Sequence, residues 1–230
     1  MISLIIPTYN EKEVISDLVE KIFDIFNKND IDGELIIVDD NSPDGTGDIA
    51  DKLSEKYKLK VVHRKGKLGL SSAVIEGLKV ARGEIIGVMD ADFSHDPEII
   101  PQMIKNIQNG SYELAVGSRY VKGGGIENWP LTRRIISRLA IMFAIPITPI
   151  KDITSGYFFV KKDCIDGVKI NAIGFKIGLE LFVKANYKKF IEVPYIFKDR
   201  RAGISKMNSS EVKNYLKQLA DLYAYKFLKR

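Results

Sequence analysis

The sequence predicts an α/β protein with a mostly parallel central sheet flanked by helices. Short strand-length apolar runs recur at residues 2–6, 34–38, 59–63, 85–89 and 112–116, and the stretches between them have helical periodicity. The runs at 35–38 and 85–89 are continuously apolar rather than alternating, as strands covered on both faces are. Three of the runs stop at acids or amides, the residues that open α/β sheets collect beyond the carboxyl ends of their strands.

Each element follows from local chemistry. Residues 2–6 form the first strand, ended by Pro7, which has no amide hydrogen to donate. Asn10 is the candidate cap of a helix reaching residue 27, because Val14, Leu18, Ile22 and Ile25 share one face. The second strand, 34–38, runs into Asp39 and Asp40 and then into the turn-dense Asn41-Ser42-Pro43-Asp44-Gly45-Thr46. A helix over 47–56 and a third strand over 59–63 come next. Lys65-Gly66-Lys67-Leu68-Gly69-Leu70 is a basic, glycine-bearing loop that opens a helix over 71–81. Strand 85–89 delivers Asp90 and Asp92, a helix spans 97–109, and strand 112–116 empties into Gly117-Ser118-Arg119-Tyr120.

Beyond residue 118 the alternation is lost. Gly123-Gly124-Gly125 reads as a flexible hinge before Trp129-Pro130 and a helix starting near Leu131. That helix is basic at first and apolar over 139–147, with Pro146 at its end. A strand over 154–160, a helix over 175–185, a strand over 190–197, a charged loop over 199–206 and a terminal helix over 210–228 complete the chain. With no repeat and no long linker, residues 1–208 read as one domain. Residues 209–230 read as an amphipathic helix packed on it or on a membrane surface.

Composition narrows the class. With 45% hydrophobic and 28% charged residues in 230, the chain has the balance and length for a sizeable globular core. A net charge of +5 suits a phosphate-bearing ligand or an anionic membrane surface and does not single out nucleic acid, so no nucleic-acid partner is expected. The single cysteine, Cys164, excludes an internal disulfide and a cysteine-rich zinc site, and fits a reducing compartment. The first residues read as a strand rather than a signal peptide, and no apolar run approaches the roughly 20 residues of a spanning helix. The expectation is an intracellular protein that does not cross a membrane.

Asp90 and Asp92 carry the chemistry. Two such carboxylates repel unless a cation lies between them or one stays protonated. A hard divalent ion such as Mg²⁺ resolves the conflict, because it takes one or two carboxylates together with substrate phosphate oxygens. The alternative is a solvated turn leading to a helix cap at Asp96. Tyr9-Asn10-Glu11 and Asp39-Asp40 close two other strands, and a parallel sheet brings all three tips to one edge. Neither the Gly-x-Gly-x-x-Gly fingerprint nor a P-loop occurs, which argues against a dinucleotide dehydrogenase and a P-loop NTPase. A nucleotide still fits, with the first two tips holding base and ribose and a metal at the third holding a diphosphate.

Three motifs, Ile-Pro-Thr-Tyr-Asn-Glu (6–11), Asp-Asp-Asn-Ser-Pro-Asp-Gly-Thr (39–46) and Asp-Ala-Asp-Phe-Ser-His (90–95), resemble the inverting family 2 glycosyltransferases of the GT-A, Rossmann-like fold. Gly-Ser-Arg-Tyr (117–120), Gly-Gly-Gly-Ile-Glu-Asn-Trp-Pro (123–130) and Asp-Arg-Arg-Ala-Gly-Ile-Ser-Lys (199–206) narrow the likeness to dolichol-phosphate (polyprenol-phosphate) mannose synthases. The resemblance implies GDP-mannose as donor and a polyprenol or dolichyl monophosphate as acceptor. It also implies a peripheral site on the cytoplasmic face of a membrane, with a separate membrane subunit left open. Carried over by motif, Pro7, Tyr9, Glu11, Asp40 and Asp90 bind the nucleotide, and Asp90 and Asp92 hold Mg²⁺ or Mn²⁺. Arg119, Arg133, Ser137, Arg201 and Lys206 hold the acceptor phosphate or the donor diphosphate, and Asp92 and Arg119 are the catalytic pair. Some relatives place a metal-binding glutamine where this chain has Ser94.

An anionic acceptor phosphate needs no strong base, so alignment and electrostatics suffice. A hydroxyl acceptor would call for a carboxylate base, and Asp152 or Glu180 would fill that role. A UDP-glucose donor, a non-lipid acceptor and a non-catalytic nucleotide-sugar-binding module stay open as alternatives. Arg133 is preferred to Arg134 as a ligand, though Arg133, Arg134 and Arg138 also suit a solvated helix face. His95 reads as a local hydrogen-bonding residue, His63 as structural, Cys164 as a small buried residue, and Trp129 as core or interfacial anchor. Residues 139–147 read as core or as a wall for a lipid tail. In the terminal helix Val212, Leu216, Leu219, Tyr223 and Phe227 share one face, with Lys213, Lys217 and Lys226 around it, which suits either the parent domain or anionic lipid.

Overall fold

A computed structural model describes residues 1–171, 176–198 and 209–228. The strands β1 (Ile2–Thr8), β2 (Gly33–Asp39), β3 (Leu59–His63) and β4 (Ile85–Val88) alternate with the helices α1 (Ile15–Lys28), α2 (Thr46–Ser54) and α3 (Leu70–Val80). Then come α4 (Ile100–Gln108), β5 (Leu114–Ser118), β6 (Gly125–Ile126), α5 (Leu131–Ala144) and β7 (Phe158–Lys161). The helix α6 (Ile177–Lys184), strands β8 (Phe190–Pro194) and β9 (Ile196–Phe197), and α7 (Ser209–Phe227) follow.

Seven strands form one sheet in the order β3-β2-β1-β4-β7-β5-β8, and β6 pairs with β9 in a separate small ribbon. All neighbours in the large sheet run parallel except β7, which is antiparallel to both β4 and β5. The mostly parallel sheet is therefore as predicted. The chain returns from α5 on the carboxyl rim and enters the sheet from that side, so β7 must point the other way.

The apolar continuity of the strands is explained by cover on both faces. Leu4 and Ile6 pack with Leu18 and Ile22 of α1 on one side, while Ile5 between them packs with Val74 of α3 on the other. Full burial of each such side chain contributes roughly 1.5–3 kcal/mol. In the central strand β4, Gly87 leaves room for an aromatic ring, since a Cβ there would lie 2.7 Å from Phe159 Cδ1.

Four local expectations are corrected. Asn10 does not cap α1: it sits at φ 60° with its N–H on Ser42 Oγ at 3.0 Å, and the helix begins at Ile15 without a side-chain cap. The strand expected from 154 starts at Phe158, because residues 152–155 turn back through the Ser155 N–H to Asp152 O bond. The glycine run is not a hinge. Gly125 pairs in β6, and Gly124 lies so close to the β5 exit that a Cβ would come within 3.2 Å of Arg119 Cα. The last strand divides at Tyr195, with β8 in the large sheet and β9 in the ribbon.

The terminal helix also divides its apolar face. Leu219 and Leu222 are buried in the core, whereas Val212, Leu216 and Phe227 are exposed. α7 is tied to the α5 region by Tyr215 Oη to Ala140 O at 2.6 Å, Tyr223 Oη to Phe143 O at 2.8 Å and Lys226 Nζ to Ile147 O at 2.7 Å. Among the described residues no helix is long and apolar enough to cross a membrane.

Candidate active site

The strand order places the site. β1 leads to β2 and β3 on one side, while β4 lies on its other side, so the connections diverge at β1 and leave a crevice beyond the carboxyl ends. A cavity of about 690 Å³ opens there. It is lined by Pro7, Tyr9 and Glu11 after β1, Asp40 after β2, and Asp90 and Asp92 after β4. Arg119 after β5 and Arg133 and Ser137 on α5 line it as well. Every predicted site residue among the described ones thus meets in one cavity. Arg201 and Lys206 lie outside the described residues.

The acid pair is built into the fold rather than into a solvated turn. Asp92 is 3% exposed and its Oδ1 accepts the Ser94 N–H at 3.0 Å, across a Phe93 held at φ 60°. Such a backbone is strained for a bulky residue and belongs to over-determined places such as sites. His95, also buried, accepts the Asp90 N–H on Nδ1 at 3.1 Å and stacks on Tyr157 with centroids 5.0 Å apart. Burial lowers its pKa, against the pull of Asp90 and Asp92, so the ring is neutral and braces the turn. Asp96 caps the following turn, accepting the Glu98 N–H at 3.0 Å. Two carboxylates facing one cavity are hard oxygen donors suited to Mg²⁺ or Mn²⁺. The buried Ser94 Oγ beside them has no hydrogen-bond partner among the described residues.

Asp40, expected to bind nucleotide, lines the cavity and also has a structural task. Its Oδ1 accepts from Arg64 Nη1, and its Oδ2 accepts the Leu68 and Gly69 N–H groups at 3.1 and 2.8 Å. It thereby fixes the 65–70 loop, whose Lys67 ammonium lies 4.0 Å from the centroid of the Tyr9 ring. Asp39 performs a similar service one residue earlier, accepting Ser42 N–H at 2.9 Å.

At the other end of the cavity the antiparallel β7 brings residues 152–155 to the tip of β5. Arg119 donates to Asp152 through Nε and Nη2, each at 2.7 Å, through its backbone N–H at 2.9 Å, and to Thr154 Oγ1 at 2.8 Å. Trp129, Phe197 and Tyr120 surround the guanidinium with centroids 5.4, 5.5 and 5.5 Å from Cζ. Burial opposes the charge, but Asp152 overrides it and holds the Arg119 pKa above the ordinary arginine range. Arg133 lies 3.9 Å over the Trp129 ring, and Ser137 Oγ is 2.8 Å from Tyr120 Oη. Arg134 instead points Nη2 at Ile126 O at 3.3 Å, so the preference for Arg133 agrees with the geometry. Glu180, the other candidate base, is buried against Lys184 and is not among the cavity-lining residues.

Lys176, just ahead of α6, also lines this cavity and was not singled out from sequence. Burial, followed by repulsion from Arg119, pulls its pKa down to about 8. A lone lysine carries no motif. From the cationic end the cavity continues along Ile136, Leu139 and Phe143 of α5 and Val212 and Leu216 of α7. Residues 139–147 thus divide, with Leu139 and Phe143 on this apolar wall and Ala144 and Ile147 in the core.

A sheet whose strand order divides at β1, with acids at three tips and cations facing them, is the architecture of the GT-A glycosyltransferases. Residues 3–175 match glycosyl transferase family 2, and the chain belongs to that family. It is 47% identical over 222 residues to a dolichol-phosphate mannosyltransferase of Pyrococcus furiosus, covering 95% of this chain and 62% of that relative. A Saccharomyces cerevisiae protein of the same name is 38% identical over 240 residues, covering 98% of this chain and 88% of that one. Among solved structures, a mannosyltransferase from Pyrobaculum calidifontis in complex with GDP-Man and Mn²⁺ superposes with a TM-score of 0.64 at 18% identity, covering 100% of this chain and 64% of the other. Glucosyl-3-phosphoglycerate synthase from Mycobacterium tuberculosis, with Mn²⁺, UDP and phosphoglyceric acid, gives a TM-score of 0.66 at 18% identity, covering 98% and 78%.

Proposed function

We propose that this chain transfers mannose from GDP-mannose to a polyprenol or dolichyl monophosphate. The observation that carries the reading is the cavity itself, which runs from the Asp90–Asp92 pair past Arg119 and Arg133 to an apolar wall of α5 and α7. One end suits a nucleoside diphosphate and the other an anionic head on an apolar chain. The names of the 47% and 38% identical relatives support mannosyl transfer to dolichol phosphate, and the GDP-Man bound to the superposed Pyrobaculum calidifontis mannosyltransferase supports the donor.

In this reading Pro7, Tyr9 and Glu11 hold base and ribose, and Asp90 and Asp92 would hold Mg²⁺ or Mn²⁺. The bound cation would supply charge neutralisation for the leaving diphosphate. Arg119, Arg133 and Ser137 orient the acceptor phosphate. One of its oxygens bonds to the anomeric carbon as the carbon–oxygen bond to the diphosphate breaks on the opposite face, inverting the configuration. The electron pair leaves with the nucleoside diphosphate, and no proton must move, because the acceptor is already an anion.

The acceptor's chain implies work at a bilayer. α5 exposes Leu131, Ile135, Leu139 and Met142, with Arg134 and Arg138 between them. We read this as a peripheral contact with anionic lipid on the cytoplasmic face. Labelled GDP-mannose or UDP-glucose, incubated with isoprenoid phosphate and extracted into organic solvent, tests the function. Label entering the organic phase from GDP-mannose, and lost with Asp92→Asn, is expected. Transfer only from UDP-glucose refutes the donor, and unchanged turnover in Asp92→Asn refutes the site.

A further inference from the structure

We propose that Asp152 is a positioning residue for the acceptor phosphate, acting only through Arg119, and that it takes no proton in the reaction. The proposal rests on the phosphate-transfer reading above. Asp152 is fully buried, and its two oxygens are saturated. Oδ2 accepts Arg119 N–H and Nε–H, while Oδ1 accepts Arg119 Nη2–H and lies 3.4 Å from Thr154 Oγ1. A carboxylate so engaged has no lone pair to turn toward a substrate, and protonating it would strand a buried guanidinium.

The arrangement around the pair is a rigid frame. Glu192 of β8 receives the Lys151 and Asp152 N–H groups at 3.0 Å each and the Ser118 hydroxyl at 2.8 Å, which locks the exit of β5 to the entry of β7. Ser155 Oγ adds a bond to Gly117 O at 2.7 Å. With Nε and Nη2 committed, Nη1 is the remaining donor of Arg119, and it makes no hydrogen bond among the described residues. Three aromatic rings flank the guanidinium, and Arg119 lines the cavity. Arg119 is therefore a fixed directional donor inside a neutral pair. Arg133 and Lys176 line the same cavity.

The test uses farnesyl phosphate as acceptor in detergent and labelled GDP-mannose as donor. Binding is followed separately through the fluorescence of Trp129, the single tryptophan, which lies against both Arg119 and Arg133. Asp152→Asn should raise the acceptor KM and the fluorescence-derived Kd by about 10- to 100-fold, the range of a charge-assisted hydrogen bond. The pH profile of kcat should keep its acidic limb. Thr154→Val should do the same on a smaller scale, about 3- to 10-fold. On an Arg119→Gln background, Asp152→Asn should add less than about twofold, because both changes remove one unit. This neutral pair keeps the test open if Asp152→Asn alone does not fold. A kcat loss at unchanged KM with the acidic limb gone, or additive effects in the double variant, overturns the proposal. A wild-type chain that binds farnesyl phosphate without transferring to it refutes the transferase reading instead, and the binding series still decides the role of Asp152.

Discussion

Replacing Asp40 by asparagine separates a brace from a ligand. Asp40 and Arg64 are buried, with side chains 6% and 7% exposed, and the Asp40 carboxylate receives Arg64 together with two loop N–H groups. An amide offers one acceptor oxygen and turns its NH₂ against one of these donors. Arg64 retains Ser72 Oγ at 2.6 Å and Gly69 O at 3.2 Å but loses its counter-charge. Breaking a buried pair from one side costs about 3–5 kcal/mol. At about 2–4 °C per kcal/mol for a chain of this size, the melting temperature should fall by about 6–20 °C. Circular dichroism melting, with GDP binding measured in parallel by calorimetry, reads both effects. A weakened affinity for GDP should accompany the loss of stability, because Lys67 and the 65–70 loop are released together. An Asp40→Asn protein with the wild-type melting temperature and no GDP affinity would refute the reasoning, and Asp40 would then be a direct ligand.

Other changes have equally definite outcomes. Gly87→Ala forces a methyl group against Phe159 in the middle of the sheet and should destabilise by about 1–3 kcal/mol in urea unfolding. Adding Phe159→Leu should recover part of that loss, which a purely conformational effect at Gly87 would not allow. Burial raises the Cys164 thiol pKa, so at neutral pH Ellman's reagent should label it only slowly and should titrate one thiol at once after denaturation. Leu131→Glu and Ile135→Glu change exposed side chains on α5 and should leave stability within about 0.5 kcal/mol. Both should reduce flotation on anionic vesicles, and unchanged flotation would remove α5 from the membrane contact.

Much of this was legible in the residues, for physical reasons. An apolar run without alternation means a strand with two covered faces, whichever residues do the covering, so β1, β2 and β4 were readable. The acids at their ends were readable as a site because parallel strands end together. Strand direction leaves no mark on apolar pattern, and β7 was therefore found without its antiparallel sense. Asp152 was seen as a carboxylate but not as half of a buried pair, since its partner lies across that unread strand reversal. Lys176 owes its shifted pKa to burial and then to Arg119, which arrives from the tip of β5, and neither is visible in local sequence. Of the glycines at 123–125, read as a hinge, Gly124 serves as clearance beside the β5 exit, which depends on what is nearby rather than on the residue, while Gly123 takes a φ of +92°.

The reversed entry of β7 also organises how the two ends of the cavity are divided. β5 and β7 are neighbours in the sheet, so the whole segment between residues 118 and 158 is a detour that leaves and rejoins the body at the same rim. The detour carries Arg119, Trp129, Arg133, Ser137 and Asp152, whereas the three acid-bearing tips come from the chain before it. In the function proposed above, the tips that face the donor precede the detour, the detour carries the cations that face the acceptor phosphate, and α7 adds Val212 and Leu216 to the apolar wall. On that proposal, lengthening or exchanging the detour should alter the choice of acceptor while the three acid-bearing tips keep their shape.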